Sequence, residues 1–226
     1  MTTSLCLHEE IMLLALSDEK GTIEAGGTWY QQMVGGAVLA ELAIAGRIEL
    51  IEERKKHVLR VTNSNPIGND FVDQWLAKMG EQPGTHKLAD WLSKISHSSN
   101  LKQEIAQALV RRGILEEKNR TFLLIFNRTA YPESNAAPEQ KIRQRLETAL
   151  FTETREVSAR TVALISILQN GTFLGRIFPD KPVASRQQRI DQLIAGDATG
   201  EATAKLIKSV QAAIMMACIV PIVIHT

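Results

Sequence analysis

The sequence predicts a mainly α protein, a single globular helical bundle over residues 1–226 with two short β-hairpins in winged-helix-like units. Three observations lead to this prediction. The 226 residues are 44% hydrophobic and 23% charged, a composition that supports one substantial core. Apolar residues recur at helical spacing along most of the chain. The succession of helix, glycine, strand, charged turn and strand occurs twice, around Gly46 and around Gly113.

The first part of the chain predicts two helices followed by a hairpin. Residues 5–16 are dense in Leu, Ile and Met, which is typical of a helix with a large buried surface. A second helix is expected to end at Gly46, because glycine suits the left-handed position after a helix. Residues 47–51 and 57–61 then predict two strands, joined by the charged turn 52–56.

The middle of the chain predicts three amphipathic helices. Their apolar faces are Phe71, Trp75 and Met79; Leu88, Trp91, Leu92 and Ile95; and Leu101, Ile105, Ala108 and Leu109. The third helix is expected to end at Gly113, before a charged turn at 116–120 and a strand at 121–126. Helices near 142–150, 162–168, 190–194 and 202–219 bring the expected number to eight or nine.

Charge and targeting signals limit the function classes. Lys and Arg number 26 and Asp and Glu 25, so no long-range field attracts the whole molecule to nucleic acid. The first ten residues lack a signal peptide, which predicts a cytoplasmic protein. The apolar run 212–224 is shorter than the roughly 20 residues of a spanning helix, and we expect it to be a core helix.

The search for catalytic chemistry finds no pattern. The five histidines are scattered, with neither metal-ligand spacing nor a nucleophile motif, so we expect no metal, no cofactor and no enzyme activity. Glu9 and Glu10 point about 100° apart on a helix and are expected to be solvated or to interact with its dipole. The diglycines 26–27 and 35–36 suit either a phosphate contact or close packing, and packing is the commoner use.

The apolar run that begins at Phe122 is the most informative feature. Read as a strand, it directs Phe122, Leu124 and Phe126 to one side and Leu123 and Ile125 to the other. One of these sides must meet the core, another subunit or a bilayer. Lys118 and Arg120 precede the run, and cations beside an apolar tip suit an anionic membrane surface.

Three segments of the chain form a specific set: LHEEIMLLALSDEKG at 7–21, GAVLAELAIAGR at 36–47 and ALVRRGILEEKNRTFLLIF at 108–126. Together they resemble the Golgi phosphoprotein 3 family, with weaker similarity in KIRQRL at 141–146 and RTVALI at 160–165. The resemblance covers essentially the whole chain. It implies one mostly helical domain that docks peripherally on the cytosolic face of membranes, binds phosphatidylinositol 4-phosphate, tethers client proteins and uses its apolar hairpin for membrane contact or self-association.

The lipid pocket of the family uses a Trp and three Arg. Carried onto this sequence, these positions fall on Gly26, Gly35, Ser99 and Lys102, and Trp29 follows the first of them by three residues. The resemblance therefore implies a headgroup site at Trp29 and Lys102. One Lys lacks the bidentate fork by which Arg holds a phosphomonoester, which disfavours phosphatidylinositol 4-phosphate as the ligand of this chain.

Two other functions remain open from the sequence. The hairpin also suits a protein–protein adaptor, in which it closes a homo-oligomer interface. The doubled helix–wing pattern also suits winged-helix DNA binding. Nucleic acid is not the expected partner, because residues 36–46 carry no Lys or Arg and would make a poor recognition helix.

Overall fold

The computed structural model describes residues 4–17, 22–23, 27–53, 56–82, 84–122, 126–154, 156–169 and 173–195, together with residues 205, 208 and 209. The helices of these parts are α1 (Leu7–Ala15), α2 (Gly27–Ile44), α3 (Asp70–Gly80), α4 (Leu88–Ser96), α5 (Leu101–Arg111), α6 (Ala137–Phe151), α7 (Ala159–Leu168), α8 (Phe173–Ile177) and α9 (Gln187–Ala195). The strands are β1 (Ile48–Glu53), β2 (Lys56–Val61), β3 (His86–Lys87), β4 (Lys118–Phe122) and β5 (Phe126–Ala130). The mainly α class is confirmed.

Helix α1 lies at the centre of the bundle. All nine of its residues are buried, and it packs against α2, α5, α6 and α7. Helix α2 is the second central element, because residues 32–43 are buried and it packs against α1, α4 and α7. Because residues 36–43 are buried, this helix cannot enter a DNA groove. This argues against winged-helix DNA binding by the helix–hairpin unit around Gly46.

The apolar faces predicted for the next three helices enter the core. Trp75 and Trp91 are buried, as expected for core tryptophans. Each of their rings is capped at the surface by a lysine ammonium, Lys78 at 4.2 Å and Lys94 at 4.3 Å from the ring centroid. Ala108 departs from its predicted face, since it is only partly buried and borders a surface cleft.

The predicted repeat is present in the hydrogen bonds as well as in the order of elements. Gly46 and Gly113 both adopt the left-handed conformation, with φ of 65° and 68°. Each follows its helix in the same C-terminal motif: Gly46 N–H donates to Ala43 O and Gly113 N–H to Val110 O, both at 2.9 Å. One local structure thus ends both α2 and α5.

The same equivalence holds where each hairpin returns to its helix. The Thr62 hydroxyl donates to Gly46 O at 3.1 Å, and the Ser134 hydroxyl donates to Gly113 O at 3.0 Å. In the following residues, Asn63 Oδ1 accepts from the N–H of Asn65. Asn135 Oδ1 likewise accepts from the N–H two residues later. The chain therefore contains two copies of one helix–hairpin unit.

The two hairpins differ in their surroundings. Strands β1 and β2 pair antiparallel from Ile48 opposite Val61 to Glu53 opposite Lys56, and β3 adds a third strand beside β2. Strands β4 and β5 form a separate two-stranded sheet. The first hairpin matches its prediction closely, whereas β3 and the short helix α8 were not predicted.

The prediction of a continuous strand at 121–126 is wrong. Phe122 is the last residue of β4 and lies opposite Phe126, the first residue of β5, so the chain reverses between them. Residues 118–120, predicted as a charged turn, belong to β4. The sides predicted for Leu123, Leu124 and Ile125 stay a prediction, because these residues lie outside the described ones.

The predicted C-terminal helix at 202–219 and the apolar run 212–224 lie outside the described residues, apart from helical residues at 205, 208 and 209. A turn is also predicted at 18–21, where a charged stretch and Gly21 end the first predicted helix, and it likewise lies outside the described residues.

Candidate functional site

A hollow of about 640 Å³, with a mixed polar and apolar lining, opens where α5 begins. Three parts of the chain surround it: the start of α2, the loop that leads into α5, and the end of β5. The described residues that line this α5 hollow are Thr22, Ile23, Tyr30, Gln31, Ser98, Asn100, Leu101, Lys102, Gln103, Thr129 and Tyr131.

The lining of the α5 hollow includes the N-terminus of α5. Asn100, with φ of 65°, precedes the first turn, and its carbonyl accepts from Glu104 N–H at 2.9 Å. The Asn100 side chain makes no capping hydrogen bond to this turn. The first N–H groups of a helix carry partial positive charge and favour an anion. Lys102 adds a full positive charge in the same turn.

Lys102 is held against an aromatic ring. Its ammonium lies 5.9 Å from the centroid of the Tyr131 ring, which is 3% exposed. Burial, and then the negative charge of Glu117, raise the pKa of the Tyr131 phenol, so the ring remains neutral at physiological pH. A cation beside an aromatic face is stabilised by the negative face of the ring.

The β4–β5 hairpin adjoins the hollow through Thr129 of β5. Thr129 lies opposite Asn119, and Arg120 lies opposite Arg128 in the next register position. Lys118, at the start of β4, pairs with Glu116 at 2.9 Å and is half exposed. The expected headgroup lysine and the expected membrane hairpin therefore border one feature of the surface.

The remaining expected headgroup residues have different surroundings. Trp29 is partly buried and packs against the core, and of its helix neighbours Tyr30 and Gln31 line the hollow. Ser99 is exposed in the loop between two lining residues. Gly26 lies outside the described residues.

Gly35 is a packing glycine between α2 and α4. A Cβ built on it would lie 2.5 Å from Ser96 Oγ and 3.1 Å from the carbonyl oxygen of Leu92. Ser96 is itself buried and donates to Gln32 Oε1 at 3.2 Å. Gly35 therefore allows α2 and α4 to pack closely. Of the two roles expected for this diglycine, a phosphate contact and close packing, packing was the commoner.

Of the two alternatives predicted for Glu9 and Glu10, solvation is wrong, because α1 is enclosed and both carboxylates are matched by arginines from later helices. Both acids do lie in the first turn of α1, where they suit its dipole, and Glu9 also accepts from Cys6 N–H at 2.7 Å. Glu9 is 1% exposed and accepts twice from Arg112 Nη1 at 3.0 Å. Glu10 is 3% exposed and accepts from Arg145 Nη2 at 2.6 Å.

A third buried carboxylate, Glu41 of α2, accepts a hydrogen bond from Arg160 of α7. Its other oxygen accepts from Leu7 N–H at 2.8 Å, and Arg160 also donates to the carbonyl of Leu5. Burial raises the pKa of Glu41, while the Arg160 charge and the Leu7 N–H act in the opposite direction. These contacts fix the start of α1 to α2 and α7.

A second cleft, of about 680 Å³, lies above these ion pairs between α3 and α5. Cys6 and Arg111 are among its lining residues. Burial, followed by the charges of Glu41 and Glu9, raises the pKa of the Cys6 thiol to about 12. This makes Cys6 a poor nucleophile.

The described residues contain no group of three or more His, Cys, Asp or Glu side chains placed to hold a metal ion. His8 is fully enclosed, and burial lowers its pKa to about 3. In the parts of the chain that the structure describes, every helix is too short or too polar to cross a bilayer.

Fold and hollow together define a mainly α protein with a surface hollow beside a β-hairpin. The chain belongs to the Golgi phosphoprotein 3 family, whose model matches residues 7–210. It is similar to vacuolar protein sorting-associated protein 74 of Eremothecium gossypii, with 23% identity over 206 residues. That match covers 77% of this chain and 61% of the relative, so the chain spans less than two thirds of the relative's length.

Proposed function

We propose that the protein is a non-catalytic peripheral membrane protein that binds anionic or phosphorylated lipid headgroups on the cytosolic face of a membrane. The observation that carries this proposal is that Lys102 and Thr129 line the same hollow. A headgroup held by Lys102 would then lie beside the β4–β5 hairpin, whose connecting residues are Leu123, Leu124 and Ile125.

Two attractive terms support binding at this surface. A cation near an anionic leaflet contributes about 1 kcal/mol, and the N-terminus of α5 adds a fractional positive charge. An apolar side chain that enters the acyl boundary contributes roughly 1.5–3 kcal/mol. The sum is enough for reversible attachment, which is what a protein anchored by one hairpin would have.

Co-sedimentation with liposomes tests the proposal. The protein should pellet with vesicles that contain anionic lipid and remain in the supernatant with phosphatidylcholine vesicles. Lys102→Ala should weaken pelleting, whereas Lys141→Ala, which removes an exposed lysine from α6, should not. Equal pelleting with neutral and anionic vesicles would contradict the proposal.

The hairpin is tested by Leu124→Asp, with circular dichroism as the check on folding. Loss of pelleting with retained secondary structure supports insertion of the hairpin. Light scattering on the same variant tests whether the hairpin closes a homo-oligomer interface. A smaller particle that still binds vesicles would assign the hairpin to self-association. The adaptor that tethers client proteins would then become the better hypothesis.

A further inference from the structure

We infer that the outer edge of β5, beside Tyr131, accepts an extended peptide segment of a partner protein as a third strand. The inference comes from comparing the first helix–hairpin unit, around Gly46, with the second, around Gly113. The first hairpin carries a third strand, β3, whereas β4 and β5 have none among the described elements. The inference concerns a protein partner and does not depend on lipid binding.

The hydrogen bonds at the base of each hairpin define which residues of the two units correspond. Thr62 N–H donates to Arg47 O at 2.9 Å, and Ser134 N–H donates to Ile114 O at 3.0 Å. In each unit the next residue donates to the same carbonyl, at 3.2 Å. Thr62 and Ser134 are therefore equivalent positions, and so are the residues that precede them by equal distances.

Leu59 of β2 and Tyr131, which directly follows β5, are equivalent edge residues, because each lies three residues before these positions. In an antiparallel pair, residues whose main-chain groups bond to the partner strand alternate with residues whose groups point to the outer edge. Thr62 and Ser134 bond inward, so the N–H and C=O of Leu59 and Tyr131 point outward. In the first unit β3 lies at this edge, with His86 opposite Leu59.

The main chain of Tyr131 has no such strand beside it. Glu116 N–H donates to Pro132 O at 2.9 Å, so Pro132 faces the first strand of the hairpin and Tyr131 faces away from it. Within the part of the chain that the structure describes, the N–H and C=O of Tyr131 make no hydrogen bond. The residue is nevertheless only 3% exposed. Main-chain groups removed from water require a partner, which an added strand would supply.

The α5 hollow provides space at this edge. Tyr131 is one of its lining residues, and its volume of about 640 Å³ is that of a ligand site. Asn100 and Gln103 also line it and are exposed, so their side-chain amides can bond to the main chain of a peptide. In strand addition, main-chain hydrogen bonds supply the affinity and alternate side chains supply the specificity.

The chain's own counterpart of β3 is bonded elsewhere. Strand β3 lies between α3 and α4, and the segment between α6 and α7 has the same place in the second unit. The described residues of this segment form no strand. Arg189 of α9 donates to the carbonyl oxygens of Ala149 and Thr154, which fixes the segment to α9. The edge of β5 is therefore left for a strand from another protein.

NMR spectroscopy of the isotope-labelled full chain tests the inference with a peptide copy of β3. The probe is the acetylated and amidated peptide GTHKLA, residues 84–89, which contains the strand that pairs with Leu59. At millimolar concentration it should shift the amide signal of Tyr131 and slow its hydrogen exchange about tenfold. The same peptide N-methylated at the position of His86 keeps its charge but loses a donor, so it should bind about tenfold more weakly. No change at Tyr131, or equal binding of both peptides, would overturn the inference.

A single exchange in the main chain locates the site. Replacing Tyr131 with its α-hydroxy acid analogue removes the main-chain N–H and keeps the ring. Peptide binding should fall about tenfold while the protein remains folded, because this N–H bonds to no described residue. The same exchange at Leu59, whose N–H faces β3, is the matched control: it should lower the free energy of unfolding and leave peptide binding unchanged. Equal peptide binding by the wild type and the Tyr131 analogue would place the peptide elsewhere and overturn the inference.

Two other results would assign the edge to a different occupant and also overturn the inference. Slow exchange of the Tyr131 amide without peptide, in a monomeric sample, would show that the chain covers its own edge. Slow exchange only in a sample that light scattering shows to be oligomeric would identify a second copy as the occupant. The assay contains no vesicles, so its failure leaves the proposed lipid binding unaffected, and failure of lipid binding leaves this inference unaffected.

Discussion

Arg112, which follows α5, donates to both carboxylate oxygens of Glu9 at 3.0 Å, across 103 residues of sequence. The carboxylate of Glu9 is 1% exposed, whereas the guanidinium is 27% exposed. The acid therefore depends on this cation, because a buried charge without its partner is strongly unfavourable.

Arg112→Met is expected to lower the free energy of unfolding by about 3 kcal/mol, measured by urea denaturation. Adding Glu9→Gln to this variant should restore part of the loss, because the buried charge is then removed. Arg60→Met is the matched control. It breaks the exposed pair with Glu49 and should cost less than about 1 kcal/mol. Equal losses for the two arginines would show that the burial of Glu9 does not matter.

Gly46→Ala and Gly113→Ala are expected to destabilise the protein by similar amounts, about 1 kcal/mol each. Both residues adopt a positive φ with nothing within 4 Å of an added Cβ, so the cost is conformational. Gly80→Ala, at the end of α3 and also in open space, should be neutral or slightly stabilising. Unequal effects at Gly46 and Gly113 would argue against the equivalence of the two units.

Gly35→Ala is expected to destabilise by about 2 kcal/mol, because the new methyl group overlaps Ser96 Oγ and presses on α4. Combination with Ser96→Ala removes the closest of these atoms. The double variant should therefore lose less stability than the sum of the two single variants in thermal or urea unfolding. If the losses of the two single variants simply add, the contact between the new methyl group and Ser96 Oγ is not the cause of the destabilisation.

Protonation of His8 is expected to couple unfolding to pH. The pKa of His8 is about 3 in the folded protein against 6.5 in a free chain, so below pH 6.5 only the unfolded chain takes up the proton. Stability should fall as pH drops from 6.5 towards 3, by about 1.4 kcal/mol per pH unit from this group.

Urea denaturation at pH 7, 6 and 5 compares the wild type with His8→Gln. The wild type should lose more stability than the variant over this range, because the carboxylates are common to both. His97→Gln, which replaces an exposed histidine, serves as the control. Parallel pH profiles for the wild type and His8→Gln would contradict the burial of His8, whose ring centroid lies 5.0 Å from that of Phe71.

Features with a local cause were predictable from the sequence. Gly46 and Gly113 mark helix ends because only glycine adopts their backbone conformation without strain, and the first hairpin has clear alternation around a charged turn. The positions of the helices were predictable from apolar residues at helical spacing, such as Phe71 and Trp75, which lie one turn apart and are both buried.

Features determined by distant contacts were not predictable in this way. Glu9 and Glu10 look like solvent-facing acids until Arg112 and Arg145 are brought to them from other helices. Two acids within an otherwise apolar helix were the available signal. The β4–β5 hairpin was misread because residues 123–125 contain no Gly, Asn, Asp or Pro to mark a reversal.

The candidate site was only partly predictable. Lys102 was found through family resemblance, and the structure adds its aromatic neighbour Tyr131 and the polar groups around it. Asn100 and Thr129 have no individual signature in the sequence. They become part of a site only because the start of α5 and the end of β5 meet in the fold.

The enclosure of α1 has a consequence for biosynthesis. The ribosome makes this helix before the other described helices, yet the three arginines that meet its acids and Glu41 emerge only at positions 112, 145 and 160. Until then its apolar surface lacks most of its final neighbours, a condition that favours chaperone binding and aggregation of nascent chains. Translation must therefore reach α7 before the acids of α1 and Glu41 all have their arginine partners.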